Sequence, residues 1–317
     1  MKALITGGAG FIGSHLADSF ANQGHQVTIL DNLSTGSLSN LSQVSDMVNF
    51  VEGDIRDNYL VENLIQNVDV VFHLAAAVGV QTIMNHTVES VSTNFTGSEI
   101  VIKAALKFDK RIILASTSEI YGKNSKQPLV ETDDRVVGNP QKIRWTYADA
   151  KALEEAVAFS LFLTNGLRMT TLRFFNTVGP RQTGRYGMVL PIFASRALKN
   201  EDIPIHGDGD QSRVFCHVFD VVKAIHLVTF NDATIGEVYN VGGLDEITMN
   251  HLAAKIIKHT NSTSNICFIP YSDAYPSGYE DMQRRVPDIT KIQSHLGWEP
   301  TYSIDSIIRD VIDAQKI

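Results

Sequence analysis

The amino-acid sequence predicts an α/β protein, a Rossmann-type doubly wound parallel sheet joined to a smaller mixed α/β lobe. Three observations carry that expectation. Short, continuously apolar runs alternate with helical patterns as far as Phe174, which marks parallel strands covered on both faces. A glycine-rich turn links the first such run to the first helical pattern. After Gly179-Pro180 the alternation gives way to a looser mixture.

Strands are expected at Ala3–Thr6, Val27–Leu30, Val48–Glu52, Val70–Leu74, Arg111–Ser116 and Met169–Phe174. Helices are expected at Phe11–Gln23, Asn58–Gln66, Val88–Lys107 and Tyr147–Asn165. Beyond Gly179 the pattern gives helices at Met188–Asn200, Val218–Phe230 and Met249–His259. A short strand is expected at Pro204–His206, and Glu237–Val241 reads as a strand returning to the main sheet. Residues 1–178 therefore form the larger lobe, with a return segment at about 213–243. About 179–212 and 244–317 form the smaller lobe.

Composition narrows the function classes. The 317 residues are 44% hydrophobic, enough for a large core. Net charge is −8 with both signs interspersed and no basic block, so a nucleic-acid surface is not expected. No apolar run has the length of a membrane span, and Gly7 follows the start too soon for a signal-peptide core. Cys216 and Cys267 stand in no metal-ligand spacing. A cytoplasmic protein with reduced thiols and no bound metal is expected.

The first strand runs into Gly7-Gly8-Ala9-Gly10-Phe11-Ile12-Gly13. A turn that lets the backbone approach a pyrophosphate, followed by a helix whose free N–H groups face it, needs glycines at these places. A glycine pattern alone is weak, but its strand-to-helix setting is the required one. The second strand ends in Asp31-Asn32. A carboxylate there accepts both hydroxyls of an adenine ribose and repels a 2′-phosphate, which favours NAD over NADP. Asp54-Ile55 follows the third strand, where an adenine edge would lie. Leu74-Ala75-Ala76 ends the fourth, where small residues let the chain run beside the cofactor. His73 reads equally as a packed strand histidine or a contact.

Tyr147 and Lys151 lie four apart at a helix start, on one face. A nearby ammonium and a positive nicotinamide both favour phenolate, so Tyr147 is expected to have a lowered pKa and to take a hydroxyl proton while hydride leaves the same carbon. Tyr147 is the only tyrosine with a lysine four residues later. Upstream, a strand ends in Ala115-Ser116-Thr117-Ser118-Glu119, where a hydroxyl can share the substrate proton.

Together these residues resemble the extended short-chain dehydrogenases that modify nucleotide sugars, over essentially the whole chain. The resemblance also rests on Asn94, Arg173-Phe174-Phe175-Asn176, Gly179-Pro180-Arg181, Gln211-Ser212-Arg213 and Arg285-Val286-Pro287-Asp288. It implies that Asn94 joins the cofactor site. It further implies that Asn176 and Arg213 contact a sugar-nucleotide diphosphate, with Arg285 and Val189 beside that ligand, and that paired helices form a homodimer. Arginine suits two phosphates because its planar fork and fixed charge match them.

The reactions of that family share oxidation at sugar C4. A 4,6-dehydratase needs an acid where this chain has Ser118, so dehydration is disfavoured. Thr117-Ser118-Glu119 is similar to the UDP-glucuronate decarboxylases, and Arg144-Trp145-Thr146-Tyr147 to a lipid A-modifying decarboxylase domain. UDP-xylose synthases place an arginine where Met188 aligns here, with Arg185 nearby as a candidate substrate contact. Gly184–Val189 resembles bacterial sugar epimerases. The expectation is an NAD-dependent enzyme that decarboxylates UDP-glucuronate, the alternative being a UDP-sugar 4-epimerase in which Glu119 is a bystander. A 4,6-dehydratase or a non-catalytic NAD-binding protein ranks lower.

Overall fold

The computed structural model describes residues 1–184, 188–275 and 280–316. In chain order the first region holds β1 (Lys2–Thr6), α1 (Phe11–Asn22), β2 (Gln26–Asp31), β3 (Val48–Glu52), α2 (Asn58–Ile65) and β4 (Val70–His73). It continues with α3 (Val80–Asn85), α4 (Thr87–Val91), a π-helical stretch (Ser92–Gly97), α5 (Ser98–Lys107), β5 (Arg111–Thr117), α6 (Thr146–Asn165) and β6 (Met169–Phe174). Next come β7 (Thr177–Val178), α7 (Val189–Leu198), β8 (Ile203–His206), β9 (Ser212–Arg213), β10 (Cys216–His217), α8 (Val218–Thr229) and β11 (Val238–Val241). The chain closes with β12 (Ile247–Thr248), α9 (Met249–Thr260), β13 (Ile266–Ile269), α10 (Tyr271–Ala274), β14 (Arg284–Arg285), α11 (Thr290–Leu296) and α12 (Ile304–Gln315).

Seven parallel strands form the main sheet in the order β11-β6-β5-β4-β1-β2-β3. The order reverses between β1 and β4, the point where open α/β sheets bind ligands. Strand periodicity sorts the core onto two faces. Ala3 and Ile5 face Leu16, Phe20, Val221 and Ile225 of α1 and α8, while Leu4 faces Val61, Val101 and Ile102 of α2 and α5. Ile113 joins the first face, and Ile112 and Leu114 join the second. Both faces are covered, which is why these strands read as unbroken apolar runs.

The returning strand expected at Glu237–Val241 is present as β11, paired with β6 from Val238↔Thr171 to Val241↔Phe174. The smaller lobe has its own core, with Leu190 and Phe193 of α7, Leu252 and Ile256 of α9, and Ile307, Ile308 and Val311 of α12.

Two expectations need correction. The single helix expected at Val88–Lys107 is three pieces, with π-helical turns at Ser92–Gly97. Such widened turns often mark functional sites. Here they bring Gly97 so close to Ile55 that an added Cβ would lie 2.6 Å from its side chain. The division of lobes at 244 is also crossed again. Ile289, Ile292 and Trp298 belong to the core of the larger lobe, and the Trp298 indole donates to the Asp220 carbonyl at 3.0 Å. α11 packs against β11, and the sequence pattern carries no sign of that pairing.

Candidate active site

The sheet places its strand ends along one cleft of about 840 Å³, lined from the glycine turn to the smaller lobe. Gly7 adopts φ +71°, and a Cβ there would lie 2.7 Å from the Ala75 backbone nitrogen. A Cβ at Gly13 would lie 2.2 Å from the Gly7 carbonyl oxygen. The glycines are thus required by close approach of strand end, turn and helix. Gly10 caps α1 without a side-chain hydrogen bond, so the N-terminal amides of this helix stay available to an anion.

Gly7, Gly10, Phe11, Ile12 and Gly13 line the cleft, as do Asp31, Asn32, Ile55, Leu74, Ala75 and Ala76. Asp31 is buried, accepting from the Ala9 amide at 2.9 Å and the Leu33 amide at 2.8 Å. Burial pushes its carboxyl above the ordinary value, against those two bonds. These residues fit a dinucleotide: a cradle a Cβ would fill, an uncapped helix end and a fixed carboxylate.

Two residues expected in this group are not among those that line the cleft. Asp54 gives its carboxylate to Arg56 at 2.7 and 2.9 Å and to the Asn32 amide at 3.0 Å, which holds it down at about 2. Its neighbours Gly53, Ile55 and Arg56 form the lining instead. Asn94 spends both ends of its side-chain amide on the Ala77 backbone, at 2.7 and 2.9 Å. It shapes the loop beyond Ala76 and does not itself line the cleft.

Tyr147 and Lys151 lie on the cleft-facing side of α6, with Thr117, Ser118 and Glu119 opposite at the end of β5. The Thr117 hydroxyl is hydrogen-bonded to the Tyr147 phenol. Lys151 is buried and donates to the Ala115 carbonyl at 2.8 Å and to Glu154 at 2.9 Å. The lowered phenol pKa is expected from the ammonium together with a positive nicotinamide, and the side chains of the cleft by themselves do not produce it. Burial raises the Tyr147 phenol above its ordinary value, and the carboxylates of Glu119 and Glu154 raise it further.

Glu119 is clamped between two buried arginines. Its Oε2 meets Arg144 at 2.6 Å, and its Oε1 accepts from Arg285. Burial favours the neutral acid, but the two guanidinium groups outweigh it and hold the carboxyl at about 2. At neutral pH Glu119 is an anion, unable to donate a proton. Arg285 also donates to Asn176 Oδ1, and Asn176 donates to the Val214 carbonyl at 2.8 Å. Arg213 is buried beside Asp281 at 3.1 Å, on the strand next to Arg285. Asn176, Val189, Arg213 and Arg285 all line the cleft. Arg185 lies outside the described residues.

The structure adds residues that sequence reasoning did not assign. Arg144 joins the site three residues before Tyr147, on the 3₁₀ turn that leads into α6. Glu154 lies three residues after Lys151, on the buried side of α6; the signal was a charged residue one turn along the face that carries the lysine. His73 is buried between the Thr6 and Ser98 hydroxyls, both at 2.8 Å, and burial pulls its pKa down to about 3. It is a packed, neutral histidine.

A parallel nucleotide-binding sheet, a tyrosine–lysine pair and paired arginines across one cleft define an enzyme of the extended short-chain dehydrogenase type that acts on nucleotide sugars. A family model described as GDP-mannose 4,6 dehydratase matches residues 4–311, and the chain belongs to that family. Among curated relatives, a UDP-N-acetyl-alpha-D-glucosaminuronate decarboxylase of Bacillus cytotoxicus is 40% identical over 98% of this chain and 96% of its own length. UDP-glucuronic acid decarboxylase 1 of Danio rerio is 33% identical over 98% of this chain and 72% of its own. Among solved structures, the Thermotoga maritima UDP-glucose 4-epimerase with UDP-glucose superposes with a TM-score of 0.90 at 31% identity, covering 100% of this chain and 99% of that one. The Thermus thermophilus UDP-glucose 4-epimerase in complex with NAD gives 0.86 at 28%, with the same coverage.

Proposed function

We propose that this protein binds NAD and decarboxylates a UDP-linked uronic acid through a sugar oxidised at C4. One observation carries the reading: Glu119 is fixed as an anion between Arg144 and Arg285, directly beside Tyr147. Two buried cations at the cleft floor suit a sugar that brings a carboxylate of its own. An ionised Glu119 cannot supply the acid that elimination of water requires.

NAD supplies the hydride acceptor and donor at C4, and it is held by the glycine turn, Asp31 and the Leu74–Ala76 strand end. Tyr147 takes the C4 hydroxyl proton, with Thr117 sharing the hydrogen bond. The resulting C4 carbonyl is β to the C6 carboxylate. The C5–C6 electron pair then flows toward that carbonyl as CO2 leaves. Glu119 orients Arg144 and Arg285 against the ring. C5 takes a proton from solvent water, and Tyr147 then returns its proton to the C4 oxygen as the hydride is restored to C4. Asn176 and Arg213 hold the diphosphate, and Arg285 spans the space between diphosphate and sugar.

The protein is proposed to act in the cytoplasm as a homodimer. Val88 on α4 and Phe159 and Leu163 on α6 are exposed. These exposed apolar side chains on packed helices are offered as the surface that a second copy would cover. Incubation with UDP-N-acetylglucosaminuronate, UDP-glucuronate and UDP-glucose, each with NAD, tests the function. Loss of CO2 from a uronate, seen by mass and NMR, is expected. Unchanged mass with inverted C4 would replace the reading with a 4-epimerase.

A further inference from the structure

A buried line of hydrogen bonds runs behind Lys151 and takes no part in the steps above. The Ser98 hydroxyl donates to Glu154 Oε2 at 3.0 Å, so its oxygen must accept from His73 Nε2. His73 Nδ1 must then accept from the Thr6 hydroxyl, which itself accepts from the Ala75 amide at 3.3 Å. One direction of donation satisfies every bond, and it ends on Glu154 as an acceptor from both Ser98 and Lys151. Thr6 closes β1 immediately before the glycine turn, so the line joins the cofactor loop to the catalytic pair.

We propose that Glu154 is a positioning residue that fixes the Lys151 ammonium against the Ala115 carbonyl and cancels its charge, so that Tyr147 keeps its proton until the site is filled. This rests on the reading of Tyr147 and Lys151 as the catalytic pair. Neighbouring charges do not replace Glu154. Glu155 on the same helix is spent on Arg173 and Ser116. Glu119 belongs to Arg144 and Arg285, and His73 from β4 is neutral. The α5 charges Glu99 and Lys103 pair with each other at 2.7 Å, at the surface. Glu154 is thus the counter-charge that touches Lys151. Its second oxygen has no hydrogen-bond partner among the described residues, so its side chain is held by Lys151 and Ser98 alone.

The test is Glu154→Gln, which keeps the shape and removes the charge. The acid limb of the kcat–pH profile, measured with UDP-glucuronate and UDP-N-acetylglucosaminuronate, should move down by about one pH unit with KM unchanged. Phenolate absorbance of the NAD-saturated protein, with Tyr147→Phe as the blank, should move the same way. Glu154→Asp should restore the parent profile. A uniform loss of kcat with no displacement of either curve would reduce Glu154 to a packing role and overturn the proposal. If Glu154→Gln does not fold, Ser98→Ala, which weakens the ionised carboxylate, must give a smaller displacement in the same direction; none would be equally fatal. Full turnover in Tyr147→Phe would instead reject the catalytic pair, whatever Glu154 does.

Discussion

Glu119 shows how environment assigns a role to a carboxylate. Beside one arginine it would be an ordinary ion pair; between two buried ones it is locked in the charged form. Removing it takes away the carboxylate that both buried guanidinium groups share, which is costly. Tyr147→Phe, by contrast, removes one hydroxyl and should cut kcat about a thousandfold while NAD still binds. Unchanged turnover in that variant would show that another group takes the proton. His73 makes a second residue-level prediction. Its pKa falls from 6.5 to about 3 on folding, so the folded state binds fewer protons than the unfolded chain. Its contribution is full above pH 6.5 and is lost as pH drops from there toward 3. Urea-unfolding stability should therefore decline between pH 7 and 5, and His73→Gln should flatten that decline.

At the scale of elements, the glycine turn is a steric junction more than a flexible one. Gly13→Ala would drive a Cβ into the Gly7 carbonyl, so α1 must shift relative to β1. Overpacking of this kind costs about 1–3 kcal/mol, and the shift should weaken NAD binding as well. Urea unfolding and calorimetric titration would show both losses, and an alanine variant that binds NAD normally would contradict the fit. Strands such as Lys2–Thr6 and Val70–His73 were legible in the sequence because both faces of the sheet are covered there and the runs are almost wholly apolar. The π-helical turns were not legible. The apolar spacing of Val88–Lys107 suits an ordinary helix, and the widening answers to contacts of Gly97 and Asn94 with distant loops. The site was legible wherever a motif lies on one element, as with Tyr147 and Lys151. Arg144 acquires its role from Glu119, beyond the end of another strand, and Glu154, though one turn from Lys151, is fixed in place by Ser98 of another helix.

For the molecule as a whole, lobe boundaries follow cores and not sequence order. Trp298 and Ile292 complete the larger core although α12, which follows them, completes the smaller one. The exposed apolar face of α4 and α6 gives a prediction on the same scale. Leu163→Glu combined with Phe159→Glu should turn the proposed dimer into a monomer in sedimentation velocity, at unchanged helix content. A variant that sediments like the parent would place the interface elsewhere.

The pairing of β9 with β14 sets Arg213 and Arg285 side by side, one strand apart. Neighbouring strands in a sheet stand about 4.8 Å from each other. One of these guanidinium groups faces Asp281, and the other reaches Glu119 beside Tyr147. The ladder is therefore a gauge. On the proposed reading of the site, it sets the span between the place offered to the diphosphate and the place where the sugar ring reacts, and a ligand with a longer or shorter link between them would meet only one end of it.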